Sequence, residues 1–324
     1  MNNLRIDNST LLSGKIRLGD GSYIAQGSML RSEDDSIKIE NSTWVLENTV
    51  IIGTKKYPVN VGSKTVFGHK CMIVGVTIGN LCEIGNAVIM LEGSTIGNCC
   101  IFGEGTLIPK GMNIPDNSVV IGRPGRVIRT LTEEDKKMIS KMRGNDTSIQ
   151  EYVENIIDNE RGVNMGKLYE LNGKKPEVAE STYLAETAEI NGDVIIGENC
   201  KIAGGVKIVG NAHGPVIIGN NVHILENSVL HLLPDNKLII KDNVTIGPGA
   251  IVHGTTLEEN VVVESGAIVC DYSYVGENAT IKAGSLVQQR KTVEANSIVE
   301  GFPAKEIGKN EQTQERPDWS FSDK

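Results

Sequence analysis

The chain has 324 residues and a formal net charge of −9, with 36 glycines and only 4 % aromatic residues. The acidic balance argues against a general nucleic-acid partner, and no apolar run approaches the ~20 residues that a membrane-spanning helix needs. The N-terminus lacks a basic segment followed by an apolar core, so we expect no signal peptide. The six cysteines show no Cys-x-x-Cys spacing, so we expect reduced thiols in a cytoplasmic protein.

A six-residue apolar repeat begins near the N-terminus. The clearest run is Ile78, Ile84, Met90, Ile96, Phe102, Ile108, Ile114 and Val120, and Ile6, Leu12, Leu18, Ile24 and Leu30 keep the same rhythm. A period of six fits neither an α-helix nor a simple amphipathic strand. It indicates a parallel β-helix, in which three hexads form one triangular coil. We therefore predict a first β-helical prism over residues 1–125.

Residues 126–183 break the repeat and are predicted to contain helices and a linker. The segment TEEDKKMISKMR has Thr132 as a candidate N-cap and Asp135 three residues later. The segment SIQEYVENII repeats this pattern with Ser148 and Glu151, so a second amphipathic helix is expected. Residues from about 159 to 183 are polar and connect to the next repeat.

The six-residue rhythm returns in the second half of the chain. It is present at Ile190, Ile196, Ile202 and Ile208, and again from Leu257 through Val263, Val269, Val275, Ile281, Val287, Val293 and Val299. An offset of 179 positions superimposes WVLENTVII (44–52) on HILENSVLH (223–231). The chain is therefore predicted to be a tandem duplication, with a second prism over residues 184–308. The polar tail, residues 309–324, is expected to be poorly ordered.

Short motifs in both copies point to one family. They are GHKCMIVGVTIG (68–79), ENSVLHLL (226–233), HGTTL (253–257) and the closing turns GRPGR and GFPAK. With these motifs each copy resembles the gamma-class carbonic anhydrases and their bacterial relatives among hexapeptide-repeat proteins. The resemblance implies all-β architecture with two tandem left-handed parallel β-helices and α-helices between them. It also implies trimeric rings of prisms, with zinc or another divalent transition metal such as iron or cobalt between neighbouring prisms.

The family's three histidine ligand positions are divided between the two copies. In chain order they hold Ile52, His69 and Val74 in the first copy, and His231, Pro248 and His253 in the second. The family takes its first and third ligands from one prism and its second from the neighbour. The resemblance therefore implies one composite metal site of His69, His231 and His253.

Two positions near the ligands predict altered chemistry. Leu46 and Leu225 stand where the family has a glutamine that helps to orient the reacting water. Glu226, next to Leu225, is a candidate catalytic proton acceptor. The alternative is that Glu226 is a solvated surface residue with no catalytic role, as an acid at a coil corner usually is.

The resemblance implies a metal-dependent enzyme that hydrates or hydrolyses CO₂ or another activated carbonyl. Two other functions fit the same residues. Hexapeptide prisms also build acyltransferases, which use acetyl-CoA and a histidine base, and a non-catalytic assembly scaffold with decayed metal sites is the third alternative. A homotrimer, a small-molecule substrate, and no membrane or nucleic-acid partner are expected under the favoured interpretation.

Overall fold

The computed structural model of the chain describes residues 3–159, 166–210, 214–233 and 235–321. It divides into two compact units, residues 1–161 and 162–324. Each unit is a parallel β-solenoid in which successive short strands add to three faces. The predicted all-β fold with hexapeptide coils is confirmed.

The first unit contains twenty strands and one helix among its described residues. In chain order they are β1 (Arg5–Ile6), β2 (Leu11–Gly19), β3 (Tyr23–Ile24), β4 (Met29–Ser32), β5 (Ile37–Ile39), β6 (Trp44–Val45), β7 (Val50–Gly53), β8 (Val59–Val61), β9 (Val66–Phe67), β10 (Met72–Val74), β11 (Thr77–Ile78), β12 (Glu83–Ile84), β13 (Ile89–Met90), β14 (Thr95–Ile96), β15 (Ile101–Phe102), β16 (Leu107–Ile108), β17 (Asn113–Ile114), β18 (Ser118–Gly122), β19 (Gly125–Thr130), α1 (Glu133–Met142) and β20 (Glu154–Asn159). One face runs β1-β3-β6-β9-β12-β15-β18-β19. The long strand β2 turns a corner and joins the other two faces, which run outward as β4-β7-β10-β13-β16 and β5-β8-β11-β14-β17.

The apolar hexad residues stack on one another inside the first prism. Ile24, Val45, Phe67, Ile84 and Phe102 are register partners on five successive strands. All five are at most 3 % exposed. The six-residue repeat is therefore the inward position of each strand, and burial of these side chains from water stabilises the coil stack.

The segment after the first prism contains one of the two expected helices. Helix α1 begins at the predicted N-cap, where Thr132 and Asp135 form a reciprocal capping box. The helix expected from Ser148 is wrong. Residues 154–159 instead form β20, which pairs antiparallel with β2, and Asn41 Oδ1 accepts the Val153 N–H at 3.1 Å. The open edge of β2 offers unpaired backbone groups, and this pairing outweighs the weak local helix signal.

The second unit repeats the three-faced arrangement. Its strands are β21 (Lys167–Tyr169), β22 (Glu177–Val178), β23 (Tyr183–Leu184), β24 (Glu189–Gly192), β25 (Val194–Ile196), β26 (Lys201–Ile202), β27 (Lys207–Gly210), β28 (Val216–Ile218), β29 (His223–Ile224), β30 (Val229–His231), β31 (Leu238–Ile240), β32 (Thr245–Ile246), β33 (Ile251–His253), β34 (Thr256–Leu257), β35 (Val262–Val263), β36 (Ile268–Val269), β37 (Tyr274–Val275), β38 (Thr280–Ile281), β39 (Leu286–Val287), β40 (Thr292–Val293), β41 (Ser297–Gly301) and β42 (Ala304–Lys309). The three faces run β21-β24-β27-β30-β33-β36-β39, β22-β25-β28-β31-β34-β37-β40 and β23-β26-β29-β32-β35-β38-β41-β42. Ile202, Ile224, Ile246, Val263 and Ile281 form its fully buried ladder.

The polar tail packs on the second unit as far as Phe321, contrary to expectation. Phe321 makes edge contacts with Tyr183 and His223, at ring-centroid distances of 6.1 and 5.8 Å. Ser320 Oγ lies 2.7 Å from His223 Nδ1. Trp319 and Phe321 are both buried, so two aromatic side chains anchor a segment whose charge alone predicts disorder. Among the described residues, no helix has the length and apolar composition needed to cross a membrane.

Candidate metal centre

Two of the three predicted ligands are neighbours on one edge of the second prism. His231 ends β30 and His253 ends β33, and the two residues are register partners on adjacent strands. Their rings lie 5.7 Å apart between centroids, at an interplanar angle of 70°. Both side chains are half-buried, so part of each remains accessible to solvent.

The surroundings of His231 favour its neutral form. Burial, followed by the nearby His253, lowers the pKa of His231 below its ordinary value. A neutral imidazole is the form that binds a metal. His253 is held on its other side by Asp271, whose Oδ2 lies 3.2 Å from His253 Nδ1.

The third predicted ligand, His69, lies at a coil corner of the first unit. It follows β9 in a turn in which Lys70 has a left-handed φ of 57°, and its side chain is 52 % exposed. His69 Nδ1 lies 2.7 Å from Glu47 Oε2. The corner thus presents a histidine outward, with its Nδ1 side against a carboxylate.

In the first copy, buried apolar residues occupy the two edge positions that hold histidines in the second copy. Ile52 and Val74 are register partners at the ends of β7 and β10, and they are 0 % and 1 % exposed. The corresponding corner of the second unit holds Pro248, which has no donor atom in its side chain. Among the residues that the structure describes, no three His, Cys, Asp or Glu side chains lie close enough together to hold a metal ion.

The predicted acid Glu226 lies at the corner of the second unit that precedes β30. Its carbonyl oxygen accepts the Gly249 N–H at 2.8 Å, so it lies one coil before Pro248. The first copy has the same arrangement, where the Lys70 N–H donates to the carbonyl of Glu47 at 2.9 Å. Glu226 is buried and lies five positions before His231, in the turn that leads into β30.

The histidines fit a divalent transition metal. The Nδ1 atoms of His253 and His69 both face carboxylates, which leaves Nε2 as the nitrogen available to an ion. Carboxylates on the far nitrogen are typical partners of metal-binding imidazoles. Zinc binds imidazole nitrogen at about 2.0–2.1 Å, so two rings on adjacent strands with this spacing can approach one ion.

Comparisons with known proteins identify the repeat and the family. The profile of the hexapeptide repeat of succinyl-transferase matches residues 58–90 and 237–270, which begin at the offset predicted for the duplication. A carbonic anhydrase of Geobacillus kaustophilus is 41 % identical over 140 residues, covering 43 % of this chain and 76 % of that protein. The mitochondrial gamma carbonic anhydrase 2 of Arabidopsis thaliana is 33 % identical over 138 residues, covering 41 % of this chain and 49 % of its own length.

The chain belongs to the gamma-class carbonic anhydrase family. It carries two copies of the family's hexapeptide unit, and the match spans about half the length of the plant relative. A solved hexapeptide transferase family protein from Anaplasma phagocytophilum is 33 % identical, covers 44 % of this chain and 84 % of its own, and has a TM-score of 0.43.

The sequence prediction missed the residues that support His253. Asp271 comes eighteen positions after His253, which is the length of one three-hexad coil. The register between β33 and β36 is offset by 17 positions, because Val252 pairs with Val269, so Asp271 lies one position beyond the partner position of His253. A spacing close to one coil is the signal that points to the pair. The sequence analysis also missed Asn236, which lies eighteen positions before Gly254 and 35 before Asp271.

Proposed function

We propose that the protein is a metal-dependent enzyme of the gamma carbonic anhydrase type. Its composite site joins His69 of a first-copy prism to His231 and His253 of a second-copy prism, within rings of three prisms. The substrate class is CO₂ or another activated carbonyl. Zinc is the first candidate metal, with iron and cobalt as alternatives.

One observation carries this proposal. The paired edge position keeps His231 and His253 in adjacent register in the second copy, whereas Ile52 and Val74 fill it with buried apolar side chains in the first. The corner position shows the opposite division, because His69 is exposed and Pro248 cannot coordinate. Each copy therefore supplies the part of a ligand set that the other lacks.

Each histidine has a defined task in this site. The neutral His231 ring and the His253 ring offer two nitrogens from one edge, and His69 approaches from the corner of another prism. The three imidazoles would hold a divalent metal, and such an ion would supply Lewis-acid chemistry and a nucleophile near neutral pH, because it lowers the pKa of bound water to about 7. Three protein ligands leave a coordination position open for that chemistry.

The proton-acceptor role of Glu226 stays a prediction. Its counterpart Glu47 lies beside His69, so Glu47 occupies the same corner as the proposed ligand. Glu226→Gln and Glu47→Gln form a matched pair for this question. If Glu226 accepts the proton, Glu226→Gln lowers turnover without changing the metal content, whereas Glu47→Gln, which removes the carboxylate beside His69, also lowers the metal affinity.

Metal analysis of alanine variants tests the composite site. Native, untagged protein and the single variants His69→Ala, His231→Ala and His253→Ala are purified and their metal per chain is measured. All three variants are expected to lose metal to a similar extent. Metal retained in His69→Ala but lost in the other two contradicts the composite site and favours a two-histidine site in the second copy.

A rescue variant separates the composite site from a ring of second copies alone. Pro248→His places a histidine at the vacant corner of the second copy. If second-copy prisms meet each other, Pro248→His adds a third histidine to their site and raises the zinc affinity of His69→Ala. Under the proposal it does not. Metal-free protein that binds acetyl-CoA would instead support the acyltransferase alternative.

A further inference from the structure

Asp271 is a buried carboxylate next to the proposed ligands, and nothing in the ligand set itself uses it. It is 6 % exposed, and its Oδ2 lies 3.2 Å from Nδ1 of His253. An ionised carboxylate can only accept hydrogen bonds. The contact therefore requires the proton of a neutral His253 ring to be on Nδ1, and Nε2 keeps its lone pair.

Two loop groups hold Asp271 in place. Its Oδ1 accepts the Leu233 N–H at 3.1 Å and lies 3.3 Å from Asn236 Nδ2. Asn236 Nδ2 also donates to the Gly254 carbonyl at 2.7 Å, directly after His253. The carboxamide thus connects the acid to the backbone of the residue next to the ligand.

The close packing at Gly254 leaves this network little freedom. A Cβ at Gly254 would lie 2.1 Å from Asn236 Nδ2, 2.7 Å from its Cγ and 3.1 Å from Asp271 Oδ1. Any side chain there would displace the carboxamide. The absence of a side chain at residue 254 is therefore a condition for the Asn236–Asp271–His253 chain of contacts.

The first copy shows what the same backbone looks like without this network. Tyr57, Glu92 and Val74 stand where the second copy has Asn236, Asp271 and His253. The Glu92 carboxylate turns to Lys110, with Oε1 3.0 Å from Nζ. Tyr57 packs over Gly75, where an added Cβ would meet the tyrosine Cβ at 2.5 Å. The acid, the carboxamide and the histidine are thus replaced together.

We propose that Asp271, held by Asn236, is a positioning residue that fixes His253 in the Nδ1–H tautomer and directs Nε2 toward a divalent metal. The metal-directing role rests on the proposed function. The tautomer of His253, however, can be observed in the metal-free protein. Hydrogen bonds to the far nitrogen both orient a ligand ring and strengthen it as a donor.

The tautomer is tested first, by ¹⁵N NMR of the imidazole nitrogens in the full-length metal-free protein, above the pH range in which histidines titrate. In the wild type, His253 is expected to be protonated on Nδ1. In Asp271→Asn the amide can donate to Nδ1, so the Nε2–H form gains population. An unchanged tautomer in Asp271→Asn overturns the proposal.

Metal affinity provides the second readout, measured by competition between the protein and a chelator for zinc. Asp271→Asn is expected to lower zinc affinity about 10- to 100-fold, and Asp271→Glu, which keeps the acceptor, is expected to recover part of the loss. Glu92→Gln, the matched change in the first copy, should alter neither readout. Circular dichroism verifies that each variant is folded, and Asn236→Ala repeats the test without changing the acid.

The two readouts distinguish failure of this inference from failure of the proposed function. A tautomer that depends on Asp271 in a protein that binds no zinc supports the positioning role and contradicts the metal site. Zinc binding that Asp271→Asn leaves unchanged contradicts the positioning role alone.

Discussion

At the scale of single residues, the second copy keeps donor atoms where the first copy has a dry apolar edge. His231 and His253 are half-buried, whereas Ile52 and Val74 are fully buried. A buried imidazole without partners costs free energy, so the histidine pair needs groups that compensate for its burial. Asp271 supplies such a group for His253.

Leu46, next to Glu47, leads to a prediction about the rate of CO₂ hydration. Leu46 is half-buried and cannot orient a water molecule, because its side chain has no polar atom. Zinc-loaded protein is expected to hydrate CO₂ with kcat/KM far below the ~10⁸ M⁻¹s⁻¹ of efficient enzymes, as measured by stopped flow. Leu46→Gln is expected to raise the rate, and Leu46→Met, which keeps an apolar side chain of similar volume, is the control. An efficient wild-type rate would show that the missing glutamine is unimportant.

At the scale of elements, the sequence predicts the strands and the helix start that depend on neighbouring residues. It misses elements that depend on pairing with distant parts of the chain. The hexad period identifies the inward residues of the coils, and the Thr132 capping box identifies the start of α1. Both signals are local. β20 depends on an edge strand more than a hundred residues away, and the anchoring of the tail depends on Phe321 meeting His223. The proposed ligand positions come from the motifs and stay a prediction, whereas the contact of Asn236 with Asp271 depends on a residue 35 positions away in the chain.

The C-terminal end of α1 is fixed to the prism by a buried ion pair, which gives a stability prediction. Arg143 Nη2 lies 2.5 Å from Glu83 Oε1, with both side chains at most 13 % exposed, and Arg143 Nε donates to the Lys64 carbonyl at 2.7 Å. Burial raises the pKa of Glu83, and Arg143 opposes this effect. Arg143→Met leaves a buried carboxylate without its cation and is expected to destabilise the first unit by about 3 kcal/mol.

Urea unfolding of the full chain measures this loss, with hydrogen exchange to locate it in α1. The double variant Glu83→Leu/Arg143→Met removes both charges and should regain most of the stability. Equal destabilisation in the single and double variants would mean that packing by the arginine stem, rather than the charge pair, holds the helix.

At the scale of the whole molecule, the duplication allows the two copies to specialise. A ring built from identical prisms needs all three ligands in every copy. In this chain the exposed His69 corner belongs to one unit and the His231–His253 edge to the other, so the proposed composite site requires contact between unlike copies. An interface between unlike surfaces is heterologous, and its closure depends on how many units surround the ring axis.

Complementation between inactive variants tests which units meet. His69→Ala and His253→Ala chains, carrying different tags, are produced together, and hybrid assemblies are isolated by sequential affinity steps. Each parent alone lacks one ligand in every site. In a hybrid, the His253→Ala chain still offers His69, and the His69→Ala chain still offers the intact pair. If sites form between neighbouring chains of a trimer, about one third of the sites in the isolated hybrids should regain metal, because each mixed trimer contains one contact of the required kind among three.

We expect this recovery, because the His69 side chain is exposed in the first unit and His231 and His253 are only half-buried in the second, so both half-sites are open to contact with another chain. Production of His231→Ala together with His253→Ala is the matched control. Both substitutions affect the same edge, where the two histidines are register partners. No hybrid assembly therefore contains a chain with both histidines. Hybrids of His69→Ala and His253→Ala that remain metal-free, from a wild type that binds metal, would place both halves of the site within one chain. Metal regained in the control would contradict the requirement that one edge supplies both histidines.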